Sequence, residues 1–173
     1  MIQKSTYVFF KIEQEFFAVD VQKVIEIIEI PELTIVPKSP SFLKGISLFR
    51  GKILPIIDLK QKFKLTENYT PEKQYVIVIS YTKEQKQQII GFLIDQLIDV
   101  VKLSQLEINE FPEIGSKYNI EFIEGIVKQN ENIYLILNTE KILDSAEIDI
   151  INHSSKQLNL LEKLNKTDES KKQ

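Results

Sequence analysis

Positive charge is written as lysine throughout this 173-residue chain except at one place: of 22 Lys and Arg residues, Arg50 is the single arginine. Its guanidinium is a planar fork of donors that grips carboxylates or backbone carbonyls at several points, whereas a lysine ammonium is a flexible point charge. It sits in Gly45-Ile-Ser-Leu-Phe-Arg-Gly-Lys-Ile-Leu-Pro-Ile-Ile-Asp-Leu59, at a strand–turn junction. That position therefore has geometry to satisfy, either toward a partner or within a local turn. The rest of the reactive inventory is sparse. Without cysteine there are no disulfides, zinc-thiolate sites, iron–sulfur clusters or thiol nucleophiles. One imidazole, His153, is too few parts for a Ser-His-Asp triad or a two-histidine metal site. Gly45, Gly51, Gly91, Gly115 and Gly125 have neither dinucleotide-fingerprint, P-loop nor nucleophile-elbow spacing. The 25 acidic residues leave a carboxylate-pair hydrolase open on counting alone, although a solvated charged face accounts for most of them. No catalytic residue, cofactor or metal is expected.

A chain of this length with 43% hydrophobic and 27% charged residues suits one compact domain, or two small ones sharing a core. The net charge of -3 argues against nucleic acid as the main partner. The N-terminal residues lack the apolar stretch and cleavage site of a signal peptide, and no apolar run approaches the ~18 residues of a membrane span. A cytoplasmic protein without direct membrane insertion is the expectation.

The elements that must position Arg50 follow from periodicity. Aromatic and β-branched runs at 7–12 and 15–19, separated by Glu13-Gln14, predict a β-hairpin. Asp20 then caps a predicted short helix in which Val21, Val24, Ile25 and Ile28 form one apolar stripe, ended by Pro31, Pro37 and Pro40. Strands are predicted at 46–50, 53–59, 75–81, 89–94, 98–103, 121–128 and 133–138, with helical signal at 139–145 capped by Asn138 or Thr139. Pro55 cannot donate to a ladder, so the 53–59 strand is expected at a sheet edge or with a bulge. Many short strands with few helices mean an all-β barrel or sandwich.

Phe42-x-x-Gly45-Ile46, followed by Ile53, Ile56, Ile57 and Asp58, recurs as Phe122-x-x-Gly125-Ile126, followed by Ile133, Ile136, Leu137 and Asn138. Phe17-Ala-Val-Asp20 is echoed by Phe92-Leu-Ile-Asp95. Duplication is one account; the other is that β-hairpins with a turn glycine look alike. Two similar small barrels side by side would bury what each alone leaves bare. Residues 1–150 read as one domain of two subdomains, and 151–173 as a polar tail, mobile or holding at most two helical turns around Leu158, Leu160, Leu161 and Leu164. A rival reading is a small β-barrel for single-stranded nucleic acid, with Lys60, Lys62 and Lys64 on one strand face and aromatics for stacking.

Three blocks stand out: Phe17-Ala-Val-Asp-Val-Gln-Lys-Val-Ile-Glu-Ile27, Val36-Pro through Pro55-Ile-Ile-Asp-Leu59, and Phe122-Ile-Glu-Gly-Ile126 with Leu135-Ile-Leu-Asn-Thr-Glu-Lys-Ile-Leu143. Together, over roughly residues 7–145, they resemble the CheW family of bacterial chemotaxis adaptors. The resemblance implies two SH3-like five-stranded β-barrels in a pseudo-two-fold arrangement, no catalysis and a stand-alone adaptor. It also implies binding to the cytoplasmic tip of a chemoreceptor and to the regulatory domain of the chemotaxis histidine kinase, with ring or array assembly at the membrane through those partners. Carried over by position, Val24, Glu26, Gly45, Arg50 and Val100 match places implicated in receptor or kinase contact, and Glu113 and Ile114 fall in a segment resembling a kinase-facing surface. Val24 and Val100 are expected to line a groove for a receptor helix, or else to be core. The chain departs from the family where Leu48-Phe49 replaces a common Asn-Leu pair, Asn138 a frequent Asp, and Asn109 an Arg that bears on a ring contact.

Overall fold

The computed structural model describes every residue except 66–68, 70, 113–119 and 173. The chain runs β1 (Lys4–Ile12), β2 (Glu15–Asp20), β3 (Val24–Glu29), β4 (Leu43–Phe49), β5 (Lys52–Asp58), α1 (Leu59–Lys62), β6 (Tyr75–Lys83), β7 (Lys86–Ile94), β8 (Gln96–Ser104), β9 (Ile123–Gln129), β10 (Asn132–Leu137) and α2 (Ser145–Lys171). Two five-stranded sheets result, ordered β8-β1-β2-β10-β9 and β3-β6-β7-β5-β4. The second sheet is one continuous stretch of chain. It is inserted between the hairpin β1–β2 and the strands β8, β9 and β10 that complete the first.

Alternation along the strands builds three apolar clusters. On β1, Val8, Phe10 and Ile12 join the large core shared by both sheets, while Tyr7 and Phe9 face a smaller core belonging to the first sheet. On β5, Ile57 joins the shared core, while Leu54 and Ile56 enter the private core of the second sheet. A strand apolar on both faces is what a sheet buried on both sides requires.

The duplication is visible bond by bond. In each sheet one pair of strands runs parallel, β5 with β7 and β10 with β2. Asp58 N–H donates to Phe42 O at 2.7 Å, and Asn138 N–H donates to Phe122 O at 2.8 Å. The Asp58 carboxylate accepts from Lys60 N–H, and Asn138 Oδ1 accepts from Glu140 N–H, so the Asp-to-Asn departure preserves the turn.

Closed barrels were expected, and the sheets are open. The chain leaving edge strand β3 returns across the opposite edge strand β4 for a single paired residue, Thr34 with Ile46; Asn109 pairs with Ile126 in the same way after β8. Each bridge has two backbone hydrogen bonds of 2.8–2.9 Å. Neither extends into a strand. Pro31 and Pro37 flank the first, and a 3-10 turn at Gln105–Glu107, held by a capping box from Ser104, precedes the second.

Other expectations are corrected. Asp20 caps only a 3-10 turn at Val21–Lys23, and 24–29 is strand rather than helix. Four of those six residues are Val or Ile, stiff at χ1 and suited to the pleat, and pairing with β6 outweighs the helical spacing. Pro55 is not at an edge, since β5 lies between β4 and β7. Ile46 directs its backbone groups to Thr34, so the Ile46–Pro55 pair exchanges no hydrogen bonds. The missing N–H therefore points toward β7, just before the parallel ladder begins at Ile56. The bulge falls instead on β4, between Leu43 and Gly45. Residues 139–143 form turns and bends; the helix begins at Ser145, capped reciprocally by Asp144 and Glu147, and continues through Lys171, so position 150 falls inside it.

The repeated glycines mark where the returning segments cross. A Cβ on Gly45 would lie 2.9 Å from Thr34 O, and one on Gly125 would lie 2.7 Å from Ile108 Cγ2 and 3.0 Å from Asn109 O. Gly45→Ala and Gly125→Ala should each cost about 1–3 kcal/mol in urea unfolding. Gly45→Ala is expected to cost more, because its obstacle is backbone while the nearest one at Gly125 is a side chain able to turn.

Burial, the main cause, raises the phenol pKa of Tyr7, Tyr81 and Tyr134 above the ordinary value; Asp20 and Glu124 add to it at Tyr7. The fold prefers these phenols neutral. Their contribution is therefore complete below ~10 and is lost as pH rises through the raised values. In an alkaline titration, phenolate absorbance from these three should rise together with loss of the sheet circular dichroism, and not ahead of it.

Candidate functional site

Arg50 and Gly51 form the two-residue turn between β4 and β5, with φ of +49° and +75°. Both central residues at positive φ make the turn whose twist matches a hairpin. An arginine there carries a backbone cost of roughly 1 kcal/mol that glycine would avoid. Its side chain donates to Glu26 Oε2 at 2.9 Å and lies over the Phe49 ring, 4.9 Å from the centroid. Glu26 stands on β3, just past a bulge at Ile25. Because β3 and β4 are opposite edges of one open sheet, this ion pair spans the seam that the Thr34–Ile46 bridge also crosses. In the first sheet Asn130 holds the position matching Arg50.

The pair stays in water, Arg50 being 66% and Glu26 42% exposed. Such a pair contributes about 0.2–1 kcal/mol. The guanidinium thus has a defined orientation and a face left open. Of the other positions singled out, Val24 is half-buried against the shared core, Gly45 is buried and Val100 is 52% exposed on edge strand β8, paired with Val8. The structure brings Arg50 and Glu26 together; it records no contact linking Val100 or Gly45 to them. Glu113 and Ile114 lie outside the described residues.

Lysines 60, 62 and 64 do not form the strand face that a nucleic-acid track would need. Lys60 and Lys62 are in α1, their side chains only 15% and 11% exposed. Lys60 lies 3.1 Å from the buried Asp95 carboxylate and donates to Tyr69 O, while Asp95 also accepts from the backbone N–H of Glu13 at 2.7 Å. Lys62 lies over both Phe42 and Phe122, the paired phenylalanines of the repeat, and is neutralised by Glu147 of α2. One cation thus joins both halves and the helix. Only the repeated Phe was visible in sequence; its lysine was not.

Glu124 is the one described carboxylate with a resolved shift, upward, chiefly from burial and then from Asp20 and Glu140, with Lys23 and Lys141 opposing. No group of three or more His, Cys, Asp or Glu able to hold a metal occurs among the described residues. None of the described helices is long and apolar enough to cross a membrane.

A family model described as a CheW-like domain matches residues 6–147. The chemotaxis protein CheW of Helicobacter pylori is 33% identical over 138 residues, covering 79% of this chain and 80% of that one. CheW of Klebsiella aerogenes is 29% identical over 150 residues, covering 87% and 88%. The crystal structure of the scaffolding protein TtCheW from Thermoanaerobacter tengcongensis superposes with a TM-score of 0.75 at 24% identity, covering 85% of this chain and 92% of that one.

Replacing Lys62 by Met keeps the stem between the two rings but leaves Glu147 without its cation. Thermal or urea unfolding should show a loss of roughly 1–3 kcal/mol, with a smaller loss for Glu147→Gln, which retains the cap. A double-mutant cycle of the two should give a coupling near 1 kcal/mol; additive losses would mean that the contact carries no energy of its own.

Proposed function

This chain belongs to the CheW-like domain family, and from that membership we propose that it is a non-catalytic adaptor coupling chemoreceptors to the chemotaxis histidine kinase. The observation that carries the reading is the exposed Arg50–Glu26 pair at the seam of the second sheet, within the matched region. A pair that adds little stability, on a turn that costs some, is explained by what it presents outward. The receptor's cytoplasmic tip is an amphipathic helical hairpin, and a helix laid on an apolar surface gains affinity from burial and register from flanking charge. Val24 and Val100 supply apolar surface for it, and Arg50 and Glu26 supply the register. Glu113 and Ile114 belong to the surface for the kinase regulatory domain. Signal then passes as a change in the relative placement of rigid parts, in the cytoplasm beneath receptor arrays.

Binding of a receptor-tip fragment and of the kinase regulatory domain, measured by calorimetry, tests this. Arg50→Glu should weaken one of the two at least tenfold with the melting temperature nearly unchanged, and Arg50→Lys should weaken the same one less. Val100→Glu should weaken receptor binding without unfolding, since the side chain is already half in water. Wild-type affinity for both partners in Arg50→Glu, or absence of binding in the parent, would end the proposal.

A further inference from the structure

The second half of α2 takes no part in the reading above, and the helix is held unevenly along its length. Up to Leu158 it presents Ile148, Ile151, Ser155 and Leu158 to the body, buried or half-buried. Lys62–Glu147, Lys83–Asp149 and Asn152–Gln88 tie the same stretch by polar contacts. From Asn159 to Lys172 every side chain described is exposed, Leu160 and Leu164 by 62% each. Where the second half begins, a cleft of about 350 Å³ separates it from the β4–β5 hairpin, with Ile46, Leu48 and Ile53 on the sheet side and Leu158 and Glu162 on the helix side. Leu48 faces Ile53 across the hairpin, so these three form one apolar row. Gly51, next to Arg50, also lines the cleft.

A helix therefore already stands across a cleft from the hairpin that carries Arg50, leaving Leu48 70% exposed. We infer that the second half of α2 is an autoinhibitory strap, competing in cis with the amphipathic helix of the receptor tip for the row Ile46–Leu48–Ile53. This rests on the receptor-binding reading above. A helical stretch of this length whose described side chains are all exposed is marginal in water, so the strap opens readily. A strap closed nine-tenths of the time weakens apparent affinity about tenfold, because only the open fraction binds.

The chain has no cysteine, which permits a direct lock. In the full chain carrying Ser47→Cys and Glu162→Cys, a short bismaleimide cross-link is compared with the same protein capped singly by N-ethylmaleimide. The cross-linked form should bind a receptor-tip helical-hairpin fragment at least tenfold more weakly. Leu158→Glu, which loosens the strap, should bind at least threefold more tightly than the parent. Adding the fragment should speed amide hydrogen exchange at 159–171. Equal affinity in locked and capped forms, or slower exchange at 159–171 on binding, overturns the strap. Arg50→Glu in the parent separates the two ideas: if it abolishes binding while the lock does nothing, only the strap fails; if it binds like the parent, the docking reading fails with it.

Discussion

A carbonyl crossing close over a missing side chain shapes each half of this molecule. Thr34 O passes over Gly45 and Asn109 O over Gly125, at separations that leave no space for a Cβ. Those crossings let each sheet curl until its two edges meet at one residue, without a ladder that would close a barrel. The curl gives each sheet a private core, and the two outer faces then build the shared core between them. It also brings β3 opposite the β4–β5 turn, without which Arg50 and Glu26 would stand at opposite ends of a flat sheet.

Much of this was legible in the sequence, and what was not has physical causes. The Phe-x-x-Gly-Ile repeat reported the two crossings because a close backbone approach penalises any side chain, which leaves a mark in one-dimensional text. Hairpins were legible from alternation and from two-residue gaps. The 21–28 stretch misled because Val21, Val24, Ile25 and Ile28 fit a helical period while the decisive partner, β6, lies some fifty residues on. A period is local, and strand pairing is not. The same limit hid the buried lysines: Lys60 and Lys62 read as part of one strand face until α1 turned them onto Asp95, Phe42, Phe122 and Glu147.

The lone arginine shows where composition and geometry agree. Lysine at position 50 would keep the charge, but it has no planar fork to hold Glu26 while standing over Phe49. The pair is too exposed to matter greatly for stability. Its effect is on direction, since a guanidinium fixed between a carboxylate and a ring points its remaining donors one way. A rigid turn and a fixed charge lower the ordering cost of any complex formed there.

Duplication alone yields two equivalent faces, and an adaptor between unlike partners needs faces that differ. The differences in this chain fall at matched positions of the two halves. Arg50 corresponds to Asn130; the second sheet's turn is clasped to the facing edge strand by Arg50–Glu26, whereas the matching turn of the first carries the exposed Lys128–Glu131 pair at 4.0 Å, within its own hairpin. Ile53 corresponds to Ile133; the first lines the cleft beside α2 and is half-buried, the second is 58% exposed. Lys62, by contrast, sits on Phe42 and Phe122 together and serves both halves at once. The contact shared by both halves is therefore inside, where it fixes them in one relative placement, and the differences between the halves named here are outside. On the adaptor reading proposed above, that division would let a rigid centre carry displacement from one face to the other, while divergence of the faces would keep each for its own partner.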